Sequence, residues 1–343
     1  MPERDYWAFF LEEARRLGAP LYERLVEGIG GDADLRALAE TVRPGQPPAN
    51  MLLGAVHYHL LRGAEHALRD FYPNLNGGKS IVGRDPFPVF QDFVRRHRTT
   101  IAPLIASRIT NTNEVGRSAM LHAGFRVLAS QAGPPLHLVE IGPSAGLNMI
   151  WDRYGVRYNR CGESFATEAP GAELVIDARL RGERVPPLGA VPRVASRIGL
   201  ERNPVDLGDA DQRDWLRALV WPDHAQRFAR LDKAFEIYAR EKPDIRAGDA
   251  LALLPEALAQ APRSQTLCVY HTIVTYQFTR EMREALDHLL VAAGLRRPVW
   301  RLSLEWAGDN HYPLRLTRYE DGVKTETTLA LCDPHGAWLE WLA

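Results

Sequence analysis

The sequence predicts an α/β protein in which a helical N-terminal segment precedes a mostly parallel sheet that ends in an antiparallel hairpin. Three observations carry this expectation. No strand signal precedes Leu136. Beyond it, short apolar runs alternate with helical periodicity, as in crossover-connected parallel strands. The first of those runs also passes directly into a turn that holds two glycines, Gly142-Pro-Ser144-Ala-Gly146.

The elements follow in chain order. Tyr6, Phe9, Phe10, Ala14 and Leu17 recur at three- and four-residue steps and Gly18 stops them, which predicts a first helix. Asn50 is placed to cap a long helix, Met51 to Tyr72, with Leu53, Val56, Leu60, Leu61, Ala64 and Leu68 on one face. Two more helices are expected, Pro86 to Arg98 and Glu114 to Gln131, the latter with Val115, Met120, Leu121, Phe125 and Leu128 as its apolar stripe. The first strand, Leu136 to Ile141, lies between the breakers Gly133-Pro-Pro135 and Gly142-Pro143. Strands are expected again at Arg193–Leu200, Gln265–Ile273, Val299–Trp306, Tyr312–Tyr319 and Glu326–Leu331. Helices intervene at 209–241 and at 280–293, where Thr279 caps and Gly294 ends the second. Glu320-Asp-Gly322 joins the last two of these strands as a hairpin turn, and a final helix follows His335. Residues 152–192, rich in Gly, Pro and Arg, read as an insertion with a hairpin at Glu173–Val185. The expected domains are therefore a helical cap, 1–133, and a sheet domain, 134–343, that carries the insertion.

Composition narrows the function classes. The chain has 343 residues, and 42 Lys and Arg nearly balance 43 Asp and Glu, for a net charge of −1. That excludes a strongly basic protein that coats nucleic acid, and an acidic tail. Cys161, Cys268 and Cys332 are far apart, so a CxxC metal or redox site is excluded, and the sparse, odd count fits a reducing compartment. Charges interrupt the first eighteen residues, which are not expected to act as a signal peptide, and no run approaches the roughly 18 apolar residues of a membrane span. The expectation is a cytoplasmic protein with no membrane partner.

Chemistry concentrates at Glu140-Ile-Gly142-Pro-Ser144-Ala-Gly146-Leu-Asn148. Glycines after a strand let the backbone approach a ligand, and the following helix start offers free N–H groups. A dinucleotide fingerprint, GxGxxG, fails because Ser144 and Leu147 occupy the second and third glycine positions. A nucleophile elbow, GxSxG, matches from Gly142 to Gly146, with His311 or His335 and Glu305 or Asp309 available to complete a triad. The helical upstream context opposes it, since that fold builds several strands before its elbow. The third candidate is the first motif of S-adenosylmethionine-dependent methyltransferases, which Glu140, Gly142 and Gly146 resemble; a plain strand–helix turn is the alternative. Glu140, Gly142, Ser144, Gly146 and Asn148 are then candidates to bind the cofactor.

Two later segments extend that resemblance. Arg197-Ile-Gly-Leu-Glu201 resembles the end of the second strand in that fold, where a carboxylate takes the ribose hydroxyls; Glu201 lies 61 residues (201 minus 140) after Glu140, and the insertion accounts for the distance. Ile245-Arg-Ala-Gly-Asp249 resembles the turn after the third strand, where an Asp contacts adenine. Either acid alone also reads as a solvated loop residue or a helix cap. All three stand at the carboxyl ends of predicted strands, where open α/β sheets bind ligands.

The chain also resembles a bacterial family, domain of unknown function 2332. The resemblance rests on Thr112-Asn-Glu-Val-Gly-Arg117, Glu140 to Asn148, Asn203-Pro-Val-Asp-Leu207, Trp215-Leu-Arg-Ala-Leu-Val-Trp-Pro222 and Pro334-His-Gly-Ala-Trp338, from about residue 85 to the end. It implies one continuous unit with a methyltransferase-like core and names no activity.

Methyl transfer from a sulfonium asks the protein mainly to position and deprotonate the acceptor. The acceptor side lies after the fourth strand, Leu267-Cys-Val-Tyr-His271-Thr272, so His271 is the candidate general base and Tyr276 a candidate pocket residue. A hydrogen-bonded strand-end histidine and a packing aromatic are their alternatives. Asn113 and Arg117 can cover the cofactor, or serve as a helix cap and as the partner of Glu114 at i,i+3. Glu305 and His335 are further acceptor-side candidates, while Trp215 and Trp221 read as core. The motifs of DNA amino- and cytosine-methylating enzymes are absent, a phosphate loop at Asn76–Ser80 lacks its first glycine, and the eleven histidines show no metal-ligand spacing. A small-molecule acceptor and S-adenosylmethionine are thus expected, with no metal and no nucleic acid. The alternatives are a non-catalytic ligand-binding protein on a degenerate core and a serine hydrolase that uses Ser144.

Overall fold

The computed structural model describes residues 6–80, 83–167, 169–308 and 311–343; Asp309 lies outside them. The helices are α1 Tyr6–Arg16, α2 Pro20–Gly30, α3 Ala33–Ala39, α4 Pro48–Leu61, α5 Phe87–Arg96, α6 Arg98–Ser107, α7 Ser118–Ala132, α8 Ala210–Ala218, α9 Ala225–Glu241, α10 Ala250–Gln260 and α11 Arg280–Gly294. The strands are β1 Leu136–Ile141, β2 Gly155–Arg160, β3 Glu163–Ala166, β4 Val175–Arg181, β5 Val194–Glu201, β6 Asp244–Ala247, β7 Thr266–Thr272, β8 Val299–Leu304, β9 Tyr312–Glu320, β10 Val323–Cys332 and β11 Trp338–Trp341. Two compact units result: Met1–Thr112 with Asp206–Ala229, and Asn113–Val205 with Arg230–Ala343.

The first unit is helical among its described residues. At its centre α4 is buried on every side from Met51 to Tyr58, so it has no polar face to show water. The predicted one-faced helix to Tyr72 is corrected accordingly. Pro48 opens α4 at the first turn, Asn50 lies inside it, and Gly63 at φ +90° ends it. Helix α8 joins this unit through Tyr58, whose hydroxyl donates to Asp211, and through Trp215, whose Nε1 donates to Ile109 O at 2.9 Å. His57 is buried between the Ala218 carbonyl, to which its Nδ1–H donates (3.0 Å), and the Asn74 amide, which donates to its Nε2 (3.0 Å). Burial pulls His57 down to about 4, so its neutral ring bridges the two segments.

The second unit is a mixed α/β body built on a large, mostly parallel sheet of order β3-β2-β4-β11-β10-β9-β8-β7-β1-β5-β6. Helices lie on both of its faces. Val139, Ile141 and Val269 of the sheet pack in one cluster with Leu254 of α10 and with Leu286 and Leu290 of α11. On the other face, Phe125 of α7 stacks on Trp151 (4.6 Å) and meets Tyr270 edge-on (5.2 Å). Gly124 permits this approach, because a Cβ there would stand 2.6 Å from Leu302. β9 and β10 form the expected hairpin, with Asp321 and Gly322 both at positive φ, as a type I′ turn requires.

Two expectations are corrected in the strands beyond β9. Residues 173–185 hold no hairpin. They hold the single strand β4, whose Ile176, Ala178 and Leu180 point inward between exposed charged residues, and it pairs parallel to both β2 and β11. The hairpin is instead β2–β3, turned by Cys161 and Gly162 at positive φ. The segment after His335 is not a helix but β11, where Trp338-Leu-Glu-Trp341 alternates inward and outward between β10 and β4.

Candidate functional site

Register brings the carboxyl ends of β1, β5, β6, β7 and β8 to one edge: Ile141 pairs with Leu200, Glu201 with Ala247, Glu140 with Tyr270 and Thr272 with Leu304. The turn after β1 carries three residues at positive φ, Gly142 (+68°), Ser144 (+57°) and Gly146 (+81°). Added Cβ atoms would stand 2.8 Å from Val274 at Gly142 and 2.8 Å from Ile245 at Gly146, so both glycines are demanded by conformation and by close packing. Ser144 has no such excuse, and its left-handed backbone is strained. Its hydroxyl is buried without a hydrogen-bond partner among the described residues, so no imidazole there stands within bonding reach of it as an elbow nucleophile needs. Asn113 Oδ1 accepts from Leu147 N (2.9 Å) and so caps the segment after the turn. Asn148 is buried beneath it; its Oδ1 accepts from Ser118 Oγ (2.8 Å) and its Nδ2 donates to Glu114 O (3.2 Å).

The three acids are held differently. Glu140 is buried with the Tyr270 hydroxyl donating to its Oε2 at 2.8 Å. Burial pushes its carboxyl up to about 8; the Tyr270 bond and the Arg117 charge pull against this, and the Glu201 charge adds to it. Glu201 accepts from Ser144 N with Oε2 (2.8 Å) and from Asn203 N with Oε1 (2.9 Å). Each oxygen keeps a second lone pair for another donor. Asp249 caps α10, its Oδ1 accepting from Leu251 N at 2.9 Å, and its Oδ2 accepts from Arg202 at 2.6 Å. That arginine holds the carboxyl below the usual range.

At the end of β7, His271 has no exposed surface. Its Nδ1–H donates to Glu305 Oε1 (2.6 Å) and its Nε2 accepts from Arg301 Nε (2.9 Å). Burial, and then the Arg301 charge, hold the ring below its ordinary value. Both nitrogens are thus engaged within the protein. Glu305 also accepts from Val274 N (2.9 Å) and Thr275 N (3.1 Å), and so fixes the loop after β7, where Ile273 sits at φ +56°. A β-branched residue there is strained, and such outliers gather at functional sites. Tyr276, two residues beyond Val274, is 59% exposed.

Arg117 ties this loop to a second one. Its Nη1 donates to Thr272 O (3.1 Å) and its Nε to Pro334 O (2.8 Å). The Asp333–Gly336 turn fits against Gly116 so closely that a Cβ on Gly336 would lie 2.2 Å from the Gly116 carbonyl oxygen. Two of the sequence segments that carry the family resemblance therefore meet in space.

Of the residues singled out in sequence, Glu140, Gly142, Ser144, Gly146, Asn148, Glu201, Asn113 and Arg117 form one connected cluster, and Asp249 stands at the next strand end. The sequence alone does not single out Tyr270, Ile273 or Arg301. Nothing in a single sequence marks an isoleucine as left-handed, and the Arg301–His271 bond joins residues on neighbouring strands. The fold and this geometry are those of a mixed α/β protein with its polar cluster at a carboxyl edge. The family model described as "Uncharacterized protein conserved in bacteria (DUF2332)" matches residues 5–341, and the chain belongs to that family. No curated protein matches it. Among the described residues, no helix is long and apolar enough to cross a membrane.

Proposed function

We propose that the chain is an S-adenosylmethionine-dependent methyltransferase acting on a small-molecule acceptor, its sheet a Rossmann-like methyltransferase core and its N-terminal helices a cap. The observation that carries this is the hold of Glu201 on the Ser144 amide, which joins the acid of one strand end to the glycine turn of the next. Strand order supports it. The parallel run β6-β5-β1-β7-β8 has the 3-2-1-4-5 order of doubly wound nucleotide-binding sheets. β5 and β6 lie to one side of β1 and β7 and β8 to the other, so the order reverses between β1 and β7, where such sheets bind ligands.

The residues present fit the cofactor. An unpartnered buried hydroxyl, Ser144 Oγ, stands in a turn next to two carboxyl groups suited to its polar ends. Glu201 can accept from the ribose hydroxyls through its remaining lone pairs, and Glu140 can accept a hydrogen bond from the ammonium. Asp249 would face the adenine amine from the α10 cap, while Gly142, Gly146 and Asn148 shape the turn and Asn113 and Arg117 hold its cover. When bound, S-adenosylmethionine supplies a methyl group already activated on a sulfonium. Glu305 fixes the loop at the acceptor side and Tyr276 offers an exposed ring there. His271, engaged at both nitrogens, acts in this arrangement by orienting Glu305.

Equilibrium dialysis of the purified chain against radiolabelled S-adenosylmethionine tests this. Retention by wild type that is lost in Glu201→Ala is expected, and no retention by wild type would overturn it.

A further inference from the structure

We infer that Arg301 is a positioning residue of the cofactor site: it fixes the tautomer of His271 and, through it, the grip of Glu305 on the loop that packs against the glycine turn. This rests on the methyltransferase assignment above, which makes that turn the cofactor's. The loop touches the turn. A Cβ on Gly142 would stand 2.8 and 2.9 Å from the two γ-carbons of Val274, so Val274 limits how Gly142 can lie. The Val274 amide donates to Glu305 Oε1 (2.9 Å), the same oxygen that accepts from Nδ1–H of His271 (2.6 Å). A shift of Glu305 is therefore passed to the turn through one residue.

Register explains why Arg301 reaches the ring. Val269 pairs with Arg301 and His271 with Ser303, so Arg301 and His271 are diagonal neighbours on the sheet face that α11 covers. A guanidinium only donates. The bond from Arg301 Nε therefore obliges Nε2 of His271 to be bare and puts the ring proton on Nδ1, toward Glu305. Arg301 is itself held: its Nη1 lies 3.5 Å from Asp287 Oδ1, and Asp287 accepts from the Tyr319 hydroxyl (2.6 Å) and from Lys324 Nζ (2.8 Å). One turn earlier on α11, Arg283 Nη1 donates to Thr275 O (3.2 Å), so that helix holds the same loop directly as well. The charged groups gathered about His271 are thus Glu305 after β8, Arg301 on β8, Arg283 and Asp287 on α11 and Lys324 on β10. Arg301 opposes a second proton on the ring and Glu305 favours one. With Arg301 in place the ring keeps one neutral tautomer, and the grip on Val274 keeps one geometry as pH changes. Without it, a ring that takes a second proton still donates to Glu305. A neutral ring is then free to carry its proton on Nε2 and turn a lone pair toward the carboxylate, which releases the grip.

Two measurements test this. The first needs wild type alone, so it stands whether or not a variant folds. Long-range proton–nitrogen NMR of the His271 ring, assigned with His271→Gln, should show a single neutral ring with its proton on Nδ1 from about pH 5 to 8. A proton on Nε2 anywhere in that range overturns the inference. The second compares wild type with Arg301→Met, by the same NMR and by calorimetric titration with S-adenosylhomocysteine. In the variant the ring should titrate, and the affinity relative to wild type should fall about 3- to 30-fold as pH rises through the ring's midpoint. A merely structural loss would lower affinity by the same factor at every pH. An affinity ratio that does not change with pH, or a ring left in its wild-type state, overturns the inference. Absence of binding by wild type overturns the methyltransferase assignment instead.

Discussion

Glu201 holds Ser144 by its backbone: the carboxylate accepts from the Ser144 amide at 2.8 Å while Ser144 sits at φ +57°. A left-handed non-glycine residue costs about 1–2 kcal/mol, and a hydrogen bond to a charged acceptor returns about 1.5–3 kcal/mol. The two effects offset each other at the turn. Glu201→Ala should therefore destabilise the protein by about 1–3 kcal/mol in urea unfolding, and Ser144→Gly should recover part of that loss when the two are combined. Strict additivity would separate the strain from the carboxylate.

Glu140 should leave a signature in the pH dependence of stability. Its carboxyl stands at about 8 in the folded protein against an ordinary 4.5. A raised folded value means that its contribution is fully present below about 4.5 and is lost as pH rises through about 8, with a slope of at most about 1.4 kcal/mol per pH unit. Glu140→Gln removes that slope. Unfolding from pH 5 to 9 should show wild type losing stability relative to the variant as pH rises; parallel curves would mean that Glu140 is ionised in the folded state.

The contact between Gly336 and Gly116 gives a steric test. Gly336 (φ +78°) and Gly171 (φ +75°) have nearly the same positive φ, but a Cβ on Gly336 would lie 2.2 Å from the Gly116 backbone whereas one on Gly171 meets nothing within 4 Å. Gly171→Ala should cost about 1–2 kcal/mol through φ alone. Gly336→Ala should cost well beyond that, because backbone must move. Equal losses of melting temperature would show that the 112–117 segment yields.

Strand periodicity and punctuation made much of the second unit legible. β1, β5, β7, β8 and β9 stand within two residues of where apolar residues and breakers put them, and β10 begins three residues before its expected start, directly at the Asp321-Gly322 turn. β4 and β11 were not legible, because charged or aromatic residues interrupt short strands whose partners lie far away in sequence. The Cys161-Gly162 turn lacks the Asn or Asp that usually marks such a conformation. At the site, the glycine turn and Glu201 could be named from their places at the ends of predicted strands. The engagement of His271 by Arg301 could not, since its polarity in sequence is that of a free catalytic ring.

Glu305 is the anchor of the loop after β7, and its loss should be costly. Burial opposes its ionisation, but the His271 bond and the Val274 and Thr275 amides hold its carboxyl below the usual range. Its contribution is thus present above the ordinary carboxylate value and lost as pH falls through the lowered one. Glu305→Gln turns an amide NH2 toward N–H donors and should cost about 3 kcal/mol or more. A change below about 1 kcal/mol would mean that the loop is held elsewhere.

The most direct test of a cofactor site at the β1 turn is calorimetric titration of the purified protein with S-adenosylhomocysteine. The proposed site predicts a saturable single-site isotherm for wild type, and affinity at least about ten-fold weaker in Glu201→Ala, a difference of about 1.4 kcal/mol. No heat of binding with wild type at millimolar ligand, or equal affinity in Glu201→Ala, would contradict it.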